Sequence, residues 1–163
     1  MLTQQAVPIN IGISETGRQQ IVSGLEKLMS DSFMLYLKTL FFHWNVTGPM
    51  FQPLHDIFET QYQELLVAVD DLAERIRALG YPAPGTFTQF NRLTSIIEDS
   101  SIPDTDTMIK LLVQDHETVI RTIRDVYGTV EKADDVATLD MLIKRMEVHE
   151  KTAWMLRSFL TPS

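Results

Sequence analysis

Residues 53–80 read PLHDIFETQYQELLVAVDDLAERIRALG. Within this stretch Phe58, Tyr62, Leu65, Val69, Leu72, Ile76 and Leu79 recur at alternating spacings of four and three. That rhythm is the apolar seam of a long helix packed nearly parallel or antiparallel to its neighbours. Pro53 belongs to a first turn, and Gly80-Tyr81-Pro82 ends the helix, the expected asymmetry of proline inside the start and glycine past the end.

Punctuation on either side yields three more long helices. The first runs from Ser14, an N-cap by residue type, to Val46, and Thr47-Gly48-Pro49 stops it. The third starts near Asp104, after Pro103, and is expected to end around Gly128. The fourth starts near Asp134 or Asp135 and stops before Pro162. Three connections are short, while that from 80 to 103 is long, so the fold class is all-α: an up-down four-helix bundle with a crossover between the second and third helices. A connection of that length carries structure of its own, and Phe87 to Ile97 is the segment expected to form a short helix. Residues 1–13 are read as an extended N-terminal tail and 14–163 as one domain.

From Phe33 to Val46 every residue except Lys38, Thr39, His43 and Asn45 is apolar. One stripe suffices for a bundle core, so the excess predicts burial against another subunit.

Composition narrows the chemistry. The 163 residues contain no cysteine, which removes disulfides, zinc-thiolate sites and thiol nucleophiles. No stretch reaches the roughly 20 apolar residues of a membrane span, and Met1 to Gly17 lack the basic and apolar regions of a signal peptide; a cytoplasmic protein without a membrane partner is expected. The net charge of −8 opposes broad attraction to nucleic acid and suits a protein that gathers cations, although acidity also serves solubility.

The second helix carries the metal-binding chemistry. His55, Glu59, Asp70 and Glu74 lie at about 0°, 40°, 60° and 100° around its axis, a single stripe roughly 120° from the apolar seam. His55 and Asp70 are separated by about 22 Å along the helix, too far for one ion within one chain. An antiparallel copy of the helix resolves this, because the number pairs 55/74 and 59/70 share one sum. His55 and Glu59 of one subunit then face Glu74 and Asp70 of its two-fold mate, as an isologous interface requires. His43, in Phe41-Phe42-His43-Trp44-Asn45, is the fifth ligand. Two imidazoles and three carboxylates suit iron. Asp56, Glu64 and Asp71 fall off the stripe and are read as solvated. His116 and His149 lack such a relation and are assigned packing or surface roles. Bundles that hold two irons within one chain use Glu-x-x-His on two helices, and no glutamate stands three residues before His43, His55, His116 or His149.

The run His43-Trp44-Asn45-Val46-x-Gly48-x-x-Phe51-x-x-Leu54-His55, then Glu59 and Asp70-Asp71-Leu72-Ala73-Glu74-Arg75, resembles the signature of the Dps mini-ferritins. The likeness extends to Asp115-His116-Glu117 and to Glu150-Lys151-x-x-Trp154-Met155-Leu156. It implies a ferritin-like four-helix bundle assembled as a dodecamer, a hollow twelve-subunit shell with ferroxidase sites between subunits. The expected activity is oxidation of Fe(II), preferably by hydrogen peroxide, with oxygen as the other acceptor, and storage of ferric mineral against oxidative damage. Carried over by position, His43, His55 and Glu59 come from one subunit, and Asp70 and Glu74 from its mate. The family often has Asp where this chain has Glu59, which puts the second iron position in doubt. Trp44 is a candidate radical quencher or an interface aromatic. Asp135 and Asp140 are candidates for lining a pore through which iron enters, or are helix-start acids. The alternative function is DNA compaction by a basic tail. Residues 1–17 contain no Lys or Arg, and no charged side chain follows Arg157, so direct DNA binding is expected to be weak or absent.

Overall fold

The computed structural model describes residues 8–160. Five helices follow one another: α1 Glu15–Asn45, α2 Phe51–Ala78, α3 Phe87–Leu93, α4 Thr105–Lys132 and α5 Val136–Arg157. The described residues contain no strand. Helices α1, α2, α4 and α5 are the bundle, and α3 is the short helix of the crossover. No helix among the described residues is long and apolar enough to cross a membrane.

Caps set the helix starts. Ser14, Asp104 and Asp135 each accept a hydrogen bond from the backbone N–H three residues on, satisfying a donor that the first turn leaves free. Helix α2 begins two residues earlier than the proline suggested. Its N-cap is Met50, which places Pro53 at the third helical position, where a missing N–H still costs no intrahelical bond. Helix α4 does not stop at Gly128 but continues to Lys132. Val126 and Val130 on either side are buried, and their packing outweighs the roughly 1 kcal/mol that glycine costs inside a helix. The short helix ends at Leu93, four residues before Ile97. Thr94 is extended, and its hydroxyl bonds to Asp31 at 3.0 Å.

The core is the expected seam closed by its counterparts. Phe58, Leu65, Val69, Leu72 and Ile76 of α2 and its C-cap Leu79 are buried, with Tyr62 half-buried at one edge. They meet Leu25, Leu28 and Leu35 of α1, Leu112, Val119 and Ile123 of α4, and Leu142 and Leu156 of α5 in one continuous cluster. Part of the surplus apolar surface of α1 is covered within the chain: Phe33 stacks on Phe90 of α3 with ring centroids 4.3 Å apart. Trp44 stays 65 % exposed.

The crossover is anchored by a polar group inside the bundle. Asp31, in the middle of α1, is fully buried and accepts from Thr94 Oγ1, from the Ser95 backbone N–H at 2.5 Å and from Thr122 Oγ1 at 2.7 Å. Of the N-terminal tail, residues 8–13 carry no helix, and the carbonyl of Ile13 accepts from the Arg18 guanidinium at 2.8 Å. Residues 1–7 and 161–163 lie outside the described part.

Candidate metal centre

The end of α1 and the start of α2 bring His43 and His55 face to face. Their rings stack with centroids 3.8 Å apart and planes tilted by 18°. Each ring is held by the other residue's backbone: His43 Nδ1 lies 2.8 Å from the His55 carbonyl oxygen, and His55 Nδ1 lies 2.9 Å from the His43 carbonyl oxygen. A carbonyl only accepts, so both rings carry a proton on Nδ1 and leave the Nε2 lone pair for a metal. The local structure explains the pairing. His43 sits in the last turn of α1, where carbonyls lack intrahelical partners, and the five-residue turn Val46–Met50 returns the chain so that His55 reaches it.

The neighbours restrict this pair further. Tyr62 stands edge-on to His43 at 5.2 Å, and Phe51 lies against His55 at 5.0 Å. His43 is buried to 7 % exposure and His55 is half-buried. Glu59, one turn after His55, is half-buried and accepts from Gln63 Nε2 at 3.3 Å. Asp70 and Glu74 are exposed, with no side-chain hydrogen bond or ion pair among the described residues. Within one chain, no three His, Asp or Glu side chains of the described part gather closely enough to hold a metal. The structure therefore brings His43 and His55 together and leaves Asp70 and Glu74 as a separate, unpartnered acidic step four turns along α2.

The remaining sequence assignments separate cleanly. Asp56 and Asp71 are exposed, and Asp56 accepts from Gln52 at 2.9 Å. Asp140 is exposed and pairs with Lys144 at 2.6 Å. Asp135 is buried and caps α5, and both of its oxygens are engaged by Arg75 Nη2, at 2.7 and 2.8 Å. Burial alone would raise its pKa, but the hydrogen bonds from Arg75 and Thr138 outweigh that and hold it below the usual carboxylate range.

Glu64 is not simply solvated. It forms a two-pronged ion pair with Arg145 of α5. His116 and His149 are not surface residues: both are fully enclosed, with their Nδ1 atoms 2.9 Å apart. Burial, then the Arg145 charge, push His116 down to about 3; His149 is lowered by burial, then by His116 and Arg145. Sequence reasoning missed this cluster because its members come from three helices. The available signal was helical spacing: Arg145 and His149 are four residues apart on one face.

Comparison with known proteins agrees with this architecture. The sequence pattern of the ferritin-like domain family matches residues 22–162. An uncharacterized low temperature-induced protein of Nostoc sp. is 40 % identical over 154 residues, covering 93 % of this chain and 86 % of the relative. DNA protection during starvation protein 2 of Bacillus anthracis is 33 % identical over 142 residues, covering 87 % and 97 %. Among solved structures, the Dps protein of Vibrio cholerae, described as a member of a broad superfamily of ferritin-like diiron-carboxylate proteins, superposes with a TM-score of 0.90. It is 27 % identical, and the match covers 97 % of this chain and 100 % of that one. A helical bundle with a helix-bearing crossover, a matching family pattern along most of its length and Dps relatives above 30 % identity place this chain in the ferritin-like family, as a mini-ferritin of the Dps type.

Proposed function

We propose that the protein is a ferroxidase and iron-storage mini-ferritin that oxidises Fe(II), preferably with hydrogen peroxide, at sites shared between two subunits. The observation that carries this reading is the reciprocal pair of imidazole–carbonyl hydrogen bonds at His43 and His55. They hold both rings as Nδ1–H tautomers before any metal arrives, so binding requires neither a tautomer change nor reorientation. Glu59 lies one turn on, and Asp70 and Glu74 of a two-fold mate complete the donor set through the antiparallel register of α2.

Iron is the substrate here, and what the residues do is bind it, orient it and balance its charge. Two ferrous ions each give up one electron, the O–O bond of one peroxide breaks, and two protons complete two molecules of water. The three carboxylates stabilise the ferric product, whose added charge they neutralise at short range. Exposed Trp44, Leu66, Val67 and Trp154 offer apolar area for contacts between subunits, in keeping with a dodecameric shell that stores ferric mineral. Trp44 follows His43 directly and is assigned here as the side chain that intercepts a radical formed at the site. Asp140, exposed and tied only to the exposed Lys144 one turn on, is the acid assigned here to a pore, whereas the buried Asp135 carboxylate is already committed to Arg75 and Thr138. In this reading, protection of DNA is chemical, by removal of iron and peroxide, in a cytoplasmic protein.

The test is the rate of ferrous oxidation by peroxide in His43→Ala/His55→Ala and in Asp70→Ala/Glu74→Ala. Loss of an outer-shell partner alone costs a metal site about 10–100-fold, so removal of two ligands should slow oxidation at least that much in each variant. Unchanged rates in both would sink the proposed site.

A further inference from the structure

A second set of metal-type donors runs from the half-exposed Glu64 into the bundle interior, already filled by a cation of the chain itself. Glu64 of α2 binds both terminal nitrogens of Arg145, with Nη2 at 3.1 Å from Oε2. The same Nη2 lies 3.0 Å from Nε2 of His149, and His149 Nδ1 lies 2.9 Å from Nδ1 of His116 on α4. Arg145 is 8 % exposed, His116 2 % and His149 0 %.

The direction of each hydrogen bond follows from chemistry. A guanidinium has donors and no acceptor, so His149 Nε2 must accept. Burial keeps both imidazoles neutral at neutral pH, helped at His116 by the Arg145 charge and at His149 by His116 and Arg145. The single proton of His149 is then on Nδ1 and is donated to His116 Nδ1, which leaves the proton of His116 on Nε2. Every ring lone pair in the cluster is occupied: that of His149 by Arg145, that of His116 by His149. His149 is in the tautomer that a metal would select, with Nδ1–H held by His116 and with Nε2 sharing the Arg145 Nη2 with Glu64 Oε2. Only Arg145 stands between them. One turn before Glu64, Gln61 Oε1 is buried without a hydrogen-bond partner and lines, with Glu64 and His116, a cleft of about 250 Å³.

We propose that Arg145 is a built-in cation closing an intrachain metal position formed by Glu64 and His149, and is thereby the residue that confines iron to the His43/His55 face. The inference rests on the reading of that face as the iron site, but its test does not. Arg145 acts by occupying a place between ligands, so it is a specificity-determining residue and takes no part in the oxidation itself.

The test counts Co(II) bound per chain by full-length protein in the His43→Ala/His55→Ala background, by equilibrium dialysis with visible d–d absorption. Replacing Arg145 by Met should add one cobalt per chain, with new d–d bands. Arg145→Lys, which keeps a cation there, should add none, and His149→Leu on top of Arg145→Met should return the count to background. No added cobalt in an Arg145→Met protein of unchanged helicity and assembly size overturns the proposal. Cobalt retained by the background itself counts against the His43/His55 reading, while the increment at Arg145 still decides this one. A second measurement needs no substitution. In ¹⁵N-histidine-labelled wild-type protein, solid-state NMR should show three Nδ1–H tautomers and one Nε2–H tautomer, the latter from His116. A His149 ring protonated at Nε2 overturns the assignment.

Discussion

Two carbonyl oxygens decide what His43 and His55 can do, and Arg145 with the hydrogen bond between the two rings decides the opposite for His116 and His149. All four residues are imidazoles on helices, yet one pair has Nε2 atoms with no hydrogen-bond partner among the described residues and the other has no free lone pair. Burial also gives the second pair a measurable effect on stability. In the unfolded chain a histidine takes a proton below about pH 6.5, whereas folded His116 resists protonation until about 3. Through that window the unfolded state binds more protons, so stability is full above pH 6.5 and falls as the pH drops. For His116 alone the loss between pH 7 and pH 5 should be about 2 kcal/mol, read as a lower urea midpoint. His116→Leu should flatten the pH dependence by that amount, and an unaltered slope would show that the ring is protonated in the fold. The pair His43 and His55 was visible in the sequence because twelve residues with a glycine turn between them suffice to bring two helix ends together. The cluster of Glu64, Arg145, His149 and His116 was not, because no local pattern pairs residues drawn from three helices.

Helix α1 approaches α4 as closely as it does because Gly24 has no side chain. A Cβ there would lie 2.7 and 2.9 Å from the two methyl groups of Val126. Alanine gains up to about 1 kcal/mol of helix propensity over glycine, but overpacking in a core costs about 1–3 kcal/mol. Gly24→Ala should therefore lower the melting temperature, and Val126→Ala in the same chain should recover part of it. A stabilised Gly24→Ala single variant would mean that the two helices separate at no cost. Crossover helix α3 belongs to the same scale. The length of the connection announced a helix, and the structure adds what starts it, a capping box at Thr86 and Gln89. Its end could not be read from the sequence, because Thr94 leaves the helix to reach Asp31, a buried acid 63 positions away.

At the scale of the whole molecule, the five proposed ligands divide into a pair of imidazoles with Glu59 and a distant pair of carboxylates, and one chain does not join them. Sharing across a two-fold makes a prediction about mixtures. His43→Ala/His55→Ala subunits unfolded and reassembled with Asp70→Ala/Glu74→Ala subunits should recover oxidation, since each mixed interface has one intact site and one doubly damaged site. For random pairing, half of the interfaces are mixed and each carries one of two sites, so about a quarter of wild-type activity is expected, by the isologous geometry. Activity no higher than that of the separate variants would exclude sharing in this register. By itself the sequence determined the four long helices, the seam of α2, the polar stripe of His55, Glu59, Asp70 and Glu74 off that seam and the lack of Lys and Arg in residues 1–17, since helical periodicity and charge are local properties that need no partner. Only the tertiary structure decided which imidazole nitrogen is free, where α4 and the short helix end, and that Asp135 and Glu64 are held by Arg75 and Arg145. The physical reason is the same in each case: hydrogen-bond direction and burial depend on groups distant in the chain, which only packing brings within 3 Å of one another.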